Sequence, residues 1–201
     1  MRLILRDVFI LQSWTRYLVS RDLKIYKMNM IWTVGHSTRS SEEFGEILSA
    51  HGIQVLVDVR SFPGSRRYPQ FNKPALSESL SQRGIDYKHE PRLGGRRTPR
   101  ADSHNTAWKN ASFRAYADHM ETDQFRNGVE TLLELAHEAR TAVMCAEALW
   151  WRCHRSLISD YLKASGHTVI HIIDAKKTEE HPFTSAARIV DGELSYRGLL
   201  D

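Results

Sequence analysis

Ionisable and nucleophilic side chains follow the ends of apolar runs in this sequence. His36 and Ser37 come directly after the run IWTVG, and Asp58 and Arg60 lie at the end of the run IQVLVDV. Runs of this kind are typical of strands that are buried on both faces of a parallel sheet. Because ligands of open parallel sheets bind beyond the carboxyl ends of the strands, we predict that these side chains share one site.

A third group of such residues follows the run TAVMC. Glu147 comes soon after this run, and Cys153 and Arg155 lie where a helix is predicted to begin. A thiol near a helix N-terminus is more acidic and more nucleophilic than a free one. The open amides of a helix start, together with an arginine, can hold an anion. A glutamate that is buried beside a strand is suited to acid–base chemistry.

These residues divide into two sets by the chemistry that each type supports. Proton transfer is assigned to His36 and Glu147, nucleophilic attack to Cys153, and the orientation of an arginine to Asp58. The predicted anion-binding residues are Arg60, Arg66, Arg155 and Ser37. Each assignment has a structural alternative: Asp58 as a partner of Arg60, Glu147 in a salt bridge, His36 in a turn, and Cys153 as a small buried apolar side chain.

His154 and the second cysteine have weaker functional signals. His154 shares the spacing of an apolar helix face with Leu157 and Ile158, which favours a buried, hydrogen-bonded histidine over a free base. The two cysteines, Cys145 and Cys153, are eight residues apart, and the sequence contains no Cys-x-x-Cys pair. This spacing matches no known zinc pattern. We therefore predict neither a metal nor any other cofactor.

Basic residues are concentrated between Arg60 and Arg100. This segment holds ten basic and three acidic residues, whereas the whole chain has a net charge of only +4. The excess indicates either a surface that binds phosphate, nucleotide or nucleic acid, or a solvated basic face without a ligand. Aromatic residues are interleaved with the charges, but no known nucleic-acid-binding motif occurs in the segment.

Strands and helices alternate along the chain from Ile31 onward. Apolar runs at 31–37, 53–59, 141–147 and 167–173 predict buried strands, with a short strand at 85–89 and a final hairpin around residues 191–192. Ser40 and Glu43 form a capping box that predicts a helix start. The alternation predicts an α/β fold in which a mostly parallel sheet is flanked by helices, a Rossmann-like three-layer arrangement. Residues 90–110 form a polar loop long enough to suggest a function.

Residues 1–29 differ from the rest of the chain in their weak periodicity. Together with Met28 and Met30, this predicts an N-terminal extension, either loosely packed or translated from a mis-assigned start, ahead of a single domain over 30–201. No apolar run approaches the roughly 20 residues needed to span a bilayer, and no export signal is recognisable. Two cysteines are not a secreted disulfide framework. We therefore expect a cytoplasmic protein without a membrane partner; the sequence predicts no oligomeric state.

The sequence resembles the domain of unknown function 488 family. The resemblance covers about Ile31 to Asp174 and is carried by five ordered blocks: TVGHSTRS, VDVRSFPGSRRYPQF, LGGRR, FRAYADHM and MCAEALWWRCHRSLISDYL. It supports the predicted fold and site but implies no substrate. A weaker likeness is to rhodanese-type sulfurtransferases, through Asp58-x-Arg60 and a later cysteine followed by Arg155-Ser156. The spacing between Cys145 and Arg155 is longer here than the loop of that family.

These observations leave three hypotheses for function. The leading one is an enzyme, a hydrolase or transferase, that acts on a phosphate-bearing nucleotide or nucleic-acid-derived substrate, with an anionic small molecule or nucleic acid as partner. The second is a thiol-dependent, sulfurtransferase-like enzyme that uses Cys153 or Cys145. The third is a module that binds nucleotides or nucleic acid without catalysis.

Overall fold

Five parallel strands and one antiparallel edge strand form the central sheet. The computed structural model of the chain describes residues 29–198, so the prediction of an N-terminal extension lies outside the described residues except at Asn29. The parallel strands are β1 (Met30–Gly35), β2 (Val55–Asp58), β3 (Asp86–His89), β4 (Thr141–Cys145) and β5 (Thr168–Ile172). Their order in the sheet is β3-β2-β4-β1-β5, and β6 (Thr178–Glu180) pairs antiparallel with β5.

Five α-helices cover the two faces of this sheet. Helices α1 (Ser41–Ala50) and α2 (Lys73–Ser81) pack on one face, while α3 (Ala111–Met120), α4 (Asp123–Glu138) and α5 (Arg155–Ala164) pack on the other. Short 3-10 turns occur at Pro69–Phe71, Pro91–Leu93 and Trp150–Arg152. The predicted three-layer α/β fold with a mostly parallel sheet is confirmed. None of the helices within residues 29–198 has the length and apolar character that a membrane crossing requires.

Alternate side chains of each strand contribute to two separate cores, one on each face of the sheet. Trp32 and Val34 of β1 pack with α1 and α2, whereas Ile31 and, on β4, Val143 and Cys145 belong to the core beneath α3, α4 and α5. Successive side chains of a strand point to opposite faces, so the apolar residues serve both cores. This is why the strands appear in the sequence as continuous apolar runs.

Local sequence signals set the boundaries of several elements. The Ser40 hydroxyl accepts a hydrogen bond from the Glu43 amide, 3.0 Å away, as the capping box predicts. The last two strands, β7 (Arg188–Val190) and β8 (Glu193–Ser195), form the predicted hairpin apart from the main sheet. Asp191 and Gly192 both have positive φ angles, 52° and 85°, as the type I′ turn of a two-residue hairpin requires.

The connections of the sheet create a crevice between β1 and β4. These strands are neighbours, but β1 connects through α1 on one face and β4 connects through α5 on the other face. Chains that leave adjacent strand ends toward opposite faces form a switch point, where open α/β sheets bind their ligands. The crevice at the carboxyl ends of β1 and β4 is therefore the candidate site.

Candidate functional site

Two cavities lie at this end of the sheet, and they share one wall. The histidine cavity, of about 340 Å³, is lined by His36, Ser37, Thr38, Tyr68, residues 146–149 and Arg152. The thiol cavity, of about 510 Å³, is lined by residues of four segments: Arg60, Ser61, Phe62, Gly64, Gly95, Arg96, Ser112, Phe113, Cys145, Ala146, Glu147, Arg152, Cys153 and His154. A larger cavity of about 950 Å³ beside the β7–β8 hairpin contains none of the predicted site residues.

The segment after β4 is fixed against the end of β1. The Ser37 amide donates to the carbonyl of Ala146, 2.9 Å away, and the His36 amide donates to the carbonyl of Cys145 at 3.0 Å. Gly35 makes this approach possible, because a Cβ atom at this position would lie 1.8 Å from the carbonyl oxygen of Glu147. The glycine that ends the first apolar run is thus required by the shape of the site.

Cys145 and Cys153 form a buried pair of free thiols. Their sulfur atoms are 2.7 Å apart, and the residues are 2% and 5% exposed. Burial alone raises the pKa of Cys153, but the S–H of Cys145 and the charge of Arg155 outweigh it and lower this pKa to about 7. Burial and the shared hydrogen bond raise the pKa of Cys145 well above its ordinary value. The first proton that the pair loses therefore leaves the negative charge on Cys153.

The imidazole of His154 lies beside the Cys153 thiol. Its Nε2 is 3.3 Å from the carbonyl oxygen of Val59, which can only accept, so Nε2 carries the proton. Nδ1 is then an open acceptor, and it lies 3.4 Å from the sulfur of Cys153. Burial lowers the pKa of His154, which keeps the ring neutral. The sequence predicts that the ring of His154 is buried and hydrogen-bonded. It does not predict that Nδ1 faces the thiol of Cys153.

Arg155 points into the protein core instead of into either cavity. The residue is 1% exposed, and its Nε donates to the sulfur of Cys145 at 3.0 Å. The other guanidinium nitrogens donate to Thr33 Oγ1 and to the carbonyls of Glu147 and Ala148. The prediction that Arg155 meets an external anion is therefore corrected, because its donors hold the thiol pair and the segment after β4.

The amides at the start of α5 are also occupied. The amide of Arg155 lies 3.5 Å from the Cys153 sulfur, the amide of Ser156 donates to the carbonyl of Cys153, and the amide of Leu157 donates to that of His154. The predicted open amides therefore have partners within the chain. Of the three, the Arg155 amide is the one that contributes its partial positive charge to the thiol.

A buried chain of hydrogen bonds continues from Arg155 through the core. Thr33 Oγ1 accepts from Arg155 and also hydrogen-bonds to Nδ1 of His171, 2.6 Å away. Nε2 of His171 hydrogen-bonds to Nδ1 of His181 at 2.9 Å, and Nε2 of His181 donates to the carboxylate of Asp160 at 3.0 Å. Burial lowers the pKa of His171 far below its usual range. The chain fixes the guanidinium position through the two imidazoles.

Asp58 and Arg60 form an ion pair. This is the structural alternative that the sequence analysis gives for Asp58. The Asp58 carboxylate accepts from the Nε, the Nη2 and the backbone amide of Arg60, and from the hydroxyl of Tyr87. Arg60 also lines the thiol cavity. Asp58 is fully buried and acts on the site through Arg60, as the expected orientation of an arginine requires.

His36 has both ring nitrogens in contact with the protein. Nη1 of Arg60, which can only donate, lies 3.3 Å from Nε2, so Nδ1 carries the proton and donates to the carbonyl of Ser37. Burial and the nearby charge of Arg60 lower the pKa of His36 to about 4. The ring is therefore neutral at pH 7, and its acceptor nitrogen is directed at Arg60 rather than at a substrate.

The remaining predicted residues take different positions around the cavities. Glu147 lines both cavities but is exposed, so the burial expected for it is wrong. Ser37 lines the histidine cavity and has a positive φ of 52°. Arg66 is exposed and lines neither cavity. Within residues 29–198, no group of three or more histidine, cysteine or carboxylate side chains is placed to hold a metal ion.

The mouth of the thiol cavity carries groups that the sequence did not single out. Phe62 is 71% exposed, and the guanidinium of Arg96 lies 5.7 Å from the centre of its ring. Arg152 is exposed and lines both cavities. The long polar loop contributes Gly95, where a Cβ atom would lie 2.5 Å from Nδ1 of His154. The unusual length of this loop was the signal that could have found Gly95 and Arg96.

The fold and the site together define a mostly parallel α/β protein with a buried thiol pair at its topological switch point. Residues 40–162 match the family described as domain of unknown function DUF488. The match spans more than half of the chain and includes both thiols, so the protein belongs to this family. No curated protein and no solved structure matches the chain.

Proposed function

We propose that the protein is a thiol-dependent group-transfer enzyme in which the thiolate of Cys153 is the nucleophile. The observation that carries this proposal is the position of Cys153 on the wall of the thiol cavity, in contact with Cys145 and His154 and with a pKa lowered to about 7. A thiol with this pKa is about half ionised at neutral pH, where an ordinary one is a few per cent thiolate.

The substrate that fits the thiol cavity best is an anion. Arg96 and Arg152 stand at its rim, and Arg152 has no ion-pair or hydrogen-bond partner for its guanidinium in the described part of the chain. Glu147 is the carboxylate that lines the cavity with them. Arginine side chains bind phosphate, sulfonate and carboxylate groups through their planar fork. The exposed ring of Phe62 offers a stacking surface for an aromatic part of the same ligand.

The reaction class follows the sulfurtransferase-like hypothesis. The Cys153 thiolate attacks the outer sulfur of a donor R–S–SH, the S–S bond breaks, and its electron pair leaves on R–S⁻. The outer sulfur is then held as a persulfide on Cys153, ready for transfer. His154 Nδ1 accepts the proton when the thiol form of Cys153 enters the cycle, because it is the unprotonated ring nitrogen that faces the sulfur.

The first hypothesis, acid–base catalysis by His36 and Glu147, has less geometric support. The acceptor nitrogen of His36 is directed at Arg60, and Glu147 is exposed to solvent. General acid–base catalysis requires a group within hydrogen-bond reach of the reacting proton. A phosphate-bearing substrate is still compatible with the proposed thiol chemistry, since the arginines at the rim would hold the phosphate while Cys153 attacks elsewhere.

Adduct formation on Cys153 tests the proposal. The protein is mixed with glutathione persulfide, thiosulfate, or a panel of nucleotides, and its intact mass is recorded without reductant. We expect a sulfur donor to add one sulfur atom to Cys145→Ser, to convert Cys153 of the wild type to a persulfide or a disulfide, and to leave Cys153→Ser unmodified. If neither sulfur donors nor nucleotides modify Cys153 while the folded protein still binds nucleotides, the protein is a binding module and the proposal is wrong.

A further inference from the structure

We propose that Cys145 is the resolving thiol of this site. It attacks the sulfur of Cys153 once that sulfur carries a transferred group, expels the group, and leaves a Cys145–Cys153 disulfide. This inference rests on the proposed function, since it needs an adduct on Cys153. It narrows the substrate to compounds whose reacting atom is a divalent sulfur, such as persulfides and disulfides, because only a group bound through such a sulfur is released as a thiol in this way.

The positions of the two sulfur atoms favour this step. Cys145 ends β4 and Cys153 lies just before α5, so each thiol is held by a different element, and their sulfurs are still 2.7 Å apart. Both side chains are packed in the core beneath α3, α4 and α5, which limits their movement. Two reacting atoms that are held together in this way react as an intramolecular pair at high effective concentration. A simple transfer through one nucleophile has no use for the second thiol.

Arg155 can stabilise the negative charge on either sulfur in turn. In the resting pair the charge lies on Cys153, whose sulfur is contacted by the amide of Arg155. Once Cys153 is modified, its own sulfur is bonded to the transferred group and is no longer a thiolate. The guanidinium of Arg155, whose Nε is 3.0 Å from the sulfur of Cys145, then favours the thiolate of Cys145. Cys145 thus becomes a nucleophile after the adduct has formed and not before.

The step balances as a two-electron reduction of the transferred sulfur. With a persulfide on Cys153, the sulfur of Cys145 bonds to the sulfur of Cys153, and the bond to the outer sulfur breaks. The electron pair of that bond leaves on the outer sulfur, which takes up the proton of Cys145 and departs as hydrogen sulfide. Both cysteine sulfurs are oxidised to the disulfide. An external thiol reductant, such as glutathione or a dithiol, then restores the two thiols.

A single-turnover experiment tests this inference separately from the proposed function. The reduced full-length protein is mixed with glutathione persulfide in the absence of other thiols, and quenched samples are analysed by non-reducing peptide mapping and by sulfide release. For the wild type we expect the Cys145–Cys153 disulfide and stoichiometric sulfide. For Cys145→Ser we expect the persulfide of Cys153 to accumulate with at least roughly tenfold less sulfide, as expected when an intramolecular reaction is lost. Cys145→Ala should also accumulate the persulfide with little sulfide, but more slowly, because it lacks the hydrogen-bond donor that lowers the pKa of Cys153.

If the variants fold poorly, the result for the wild type is still enough to refute the inference. A stable persulfide on wild-type Cys153, without disulfide or sulfide, would overturn the role of Cys145 and leave the proposed function in place. If the wild type acquires neither a persulfide nor a disulfide, the proposed function itself fails, and the role of Cys145 fails with it.

Discussion

Nε of Arg155 lies 3.0 Å from the sulfur of Cys145, in the interior of the protein and not at its surface. The guanidinium charge is therefore directed at the thiol pair. A buried cation needs compensation, and here it comes from a chain of hydrogen bonds that ends at the carboxylate of Asp160 and from the thiolate of the pair. The acidity of Cys153 and the stability of the core thus depend on the same contacts.

Thr33 is a positioning residue that can be tested through this chain. We expect Thr33→Val to leave Nη1 of Arg155 and Nδ1 of His171 without their shared partner, at a cost of about 1–3 kcal/mol in the free energy of unfolding. The pKa of Cys153 should rise, because the guanidinium is held less firmly near the sulfurs. Thr33→Ser keeps the hydroxyl and should restore both properties. An unchanged alkylation profile in Thr33→Val would show that Thr33 has a structural role alone.

Gly35 should be intolerant of any side chain. A Cβ atom there would lie 1.8 Å from the carbonyl oxygen of Glu147 and 3.0 Å from Cα of Ala148, so the segment after β4 must move. We expect Gly35→Ala to lower the free energy of unfolding by at least roughly 2 kcal/mol and to alter the reactivity of Cys153. Gly64→Ala is the matched control for stability, since a Cβ atom there meets nothing within 4 Å. Equal stability of the two variants, measured by urea unfolding, would contradict this account of the site.

The lowered pKa of His36 predicts that the protein becomes less stable in mild acid. Its pKa is about 4 in the folded protein and about 6.5 when unperturbed, so the unfolded chain binds the proton first. The free energy of unfolding should therefore fall as the pH drops from 6.5 to about 4, by on the order of 3 kcal/mol from this residue. The lowered pKa of His171 acts in the same direction. Urea unfolding across this pH range should show a smaller decline for His36→Gln, and an identical decline would refute the assignment.

Arg152 is expected to be an important contact for an anionic ligand. Thiosulfate or a nucleotide bound in the thiol cavity should slow the alkylation of Cys153 by iodoacetamide, and Arg152→Ala should weaken this protection several-fold. Lys88→Ala is the matched control, because Lys88 is an exposed cation of the basic segment between Arg60 and Arg100 and lines neither cavity. Protection should also weaken with salt, since exposed charges are screened over about 10 Å at 0.1 M ionic strength. Equal loss of protection in both variants would indicate a diffuse basic surface instead of a defined contact.

The fold could be predicted from the sequence because its strands and helices have strong periodic patterns. The polar residues at the strand ends also indicated where the candidate site lies, since the parallel sheet brings those ends to one edge. The direction of individual side chains could not be predicted. Arg155, the first residue of α5, turns inward, and Glu147, in the irregular segment after β4, turns outward. Neither position belongs to a periodic pattern long enough to decide between core and solvent.

The thiol pair was missed for a related reason, although a partial signal exists. A spacing of eight residues between Cys145 and Cys153 has no structural meaning until the intervening segment is known to return to the strand end. The period of two along β1 and β4 places Thr33 and Cys145 on the same face of the sheet as α5. This alternation of side chains, combined with the face of the sheet on which α5 packs, would have predicted that Thr33, Cys145 and Arg155 lie close together.

The pH dependence of Cys153 alkylation tests the central claim most directly. The rate at which iodoacetamide labels Cys153 in the folded protein is measured by mass spectrometry over a range of pH, with Cys153→Ser as the control for labelling of Cys145. We predict a half-maximal rate near pH 7 for Cys153 and slow labelling of Cys145 throughout. A half-maximal rate near the ordinary thiol pKa of 9, or faster labelling of Cys145 than of Cys153, would contradict it.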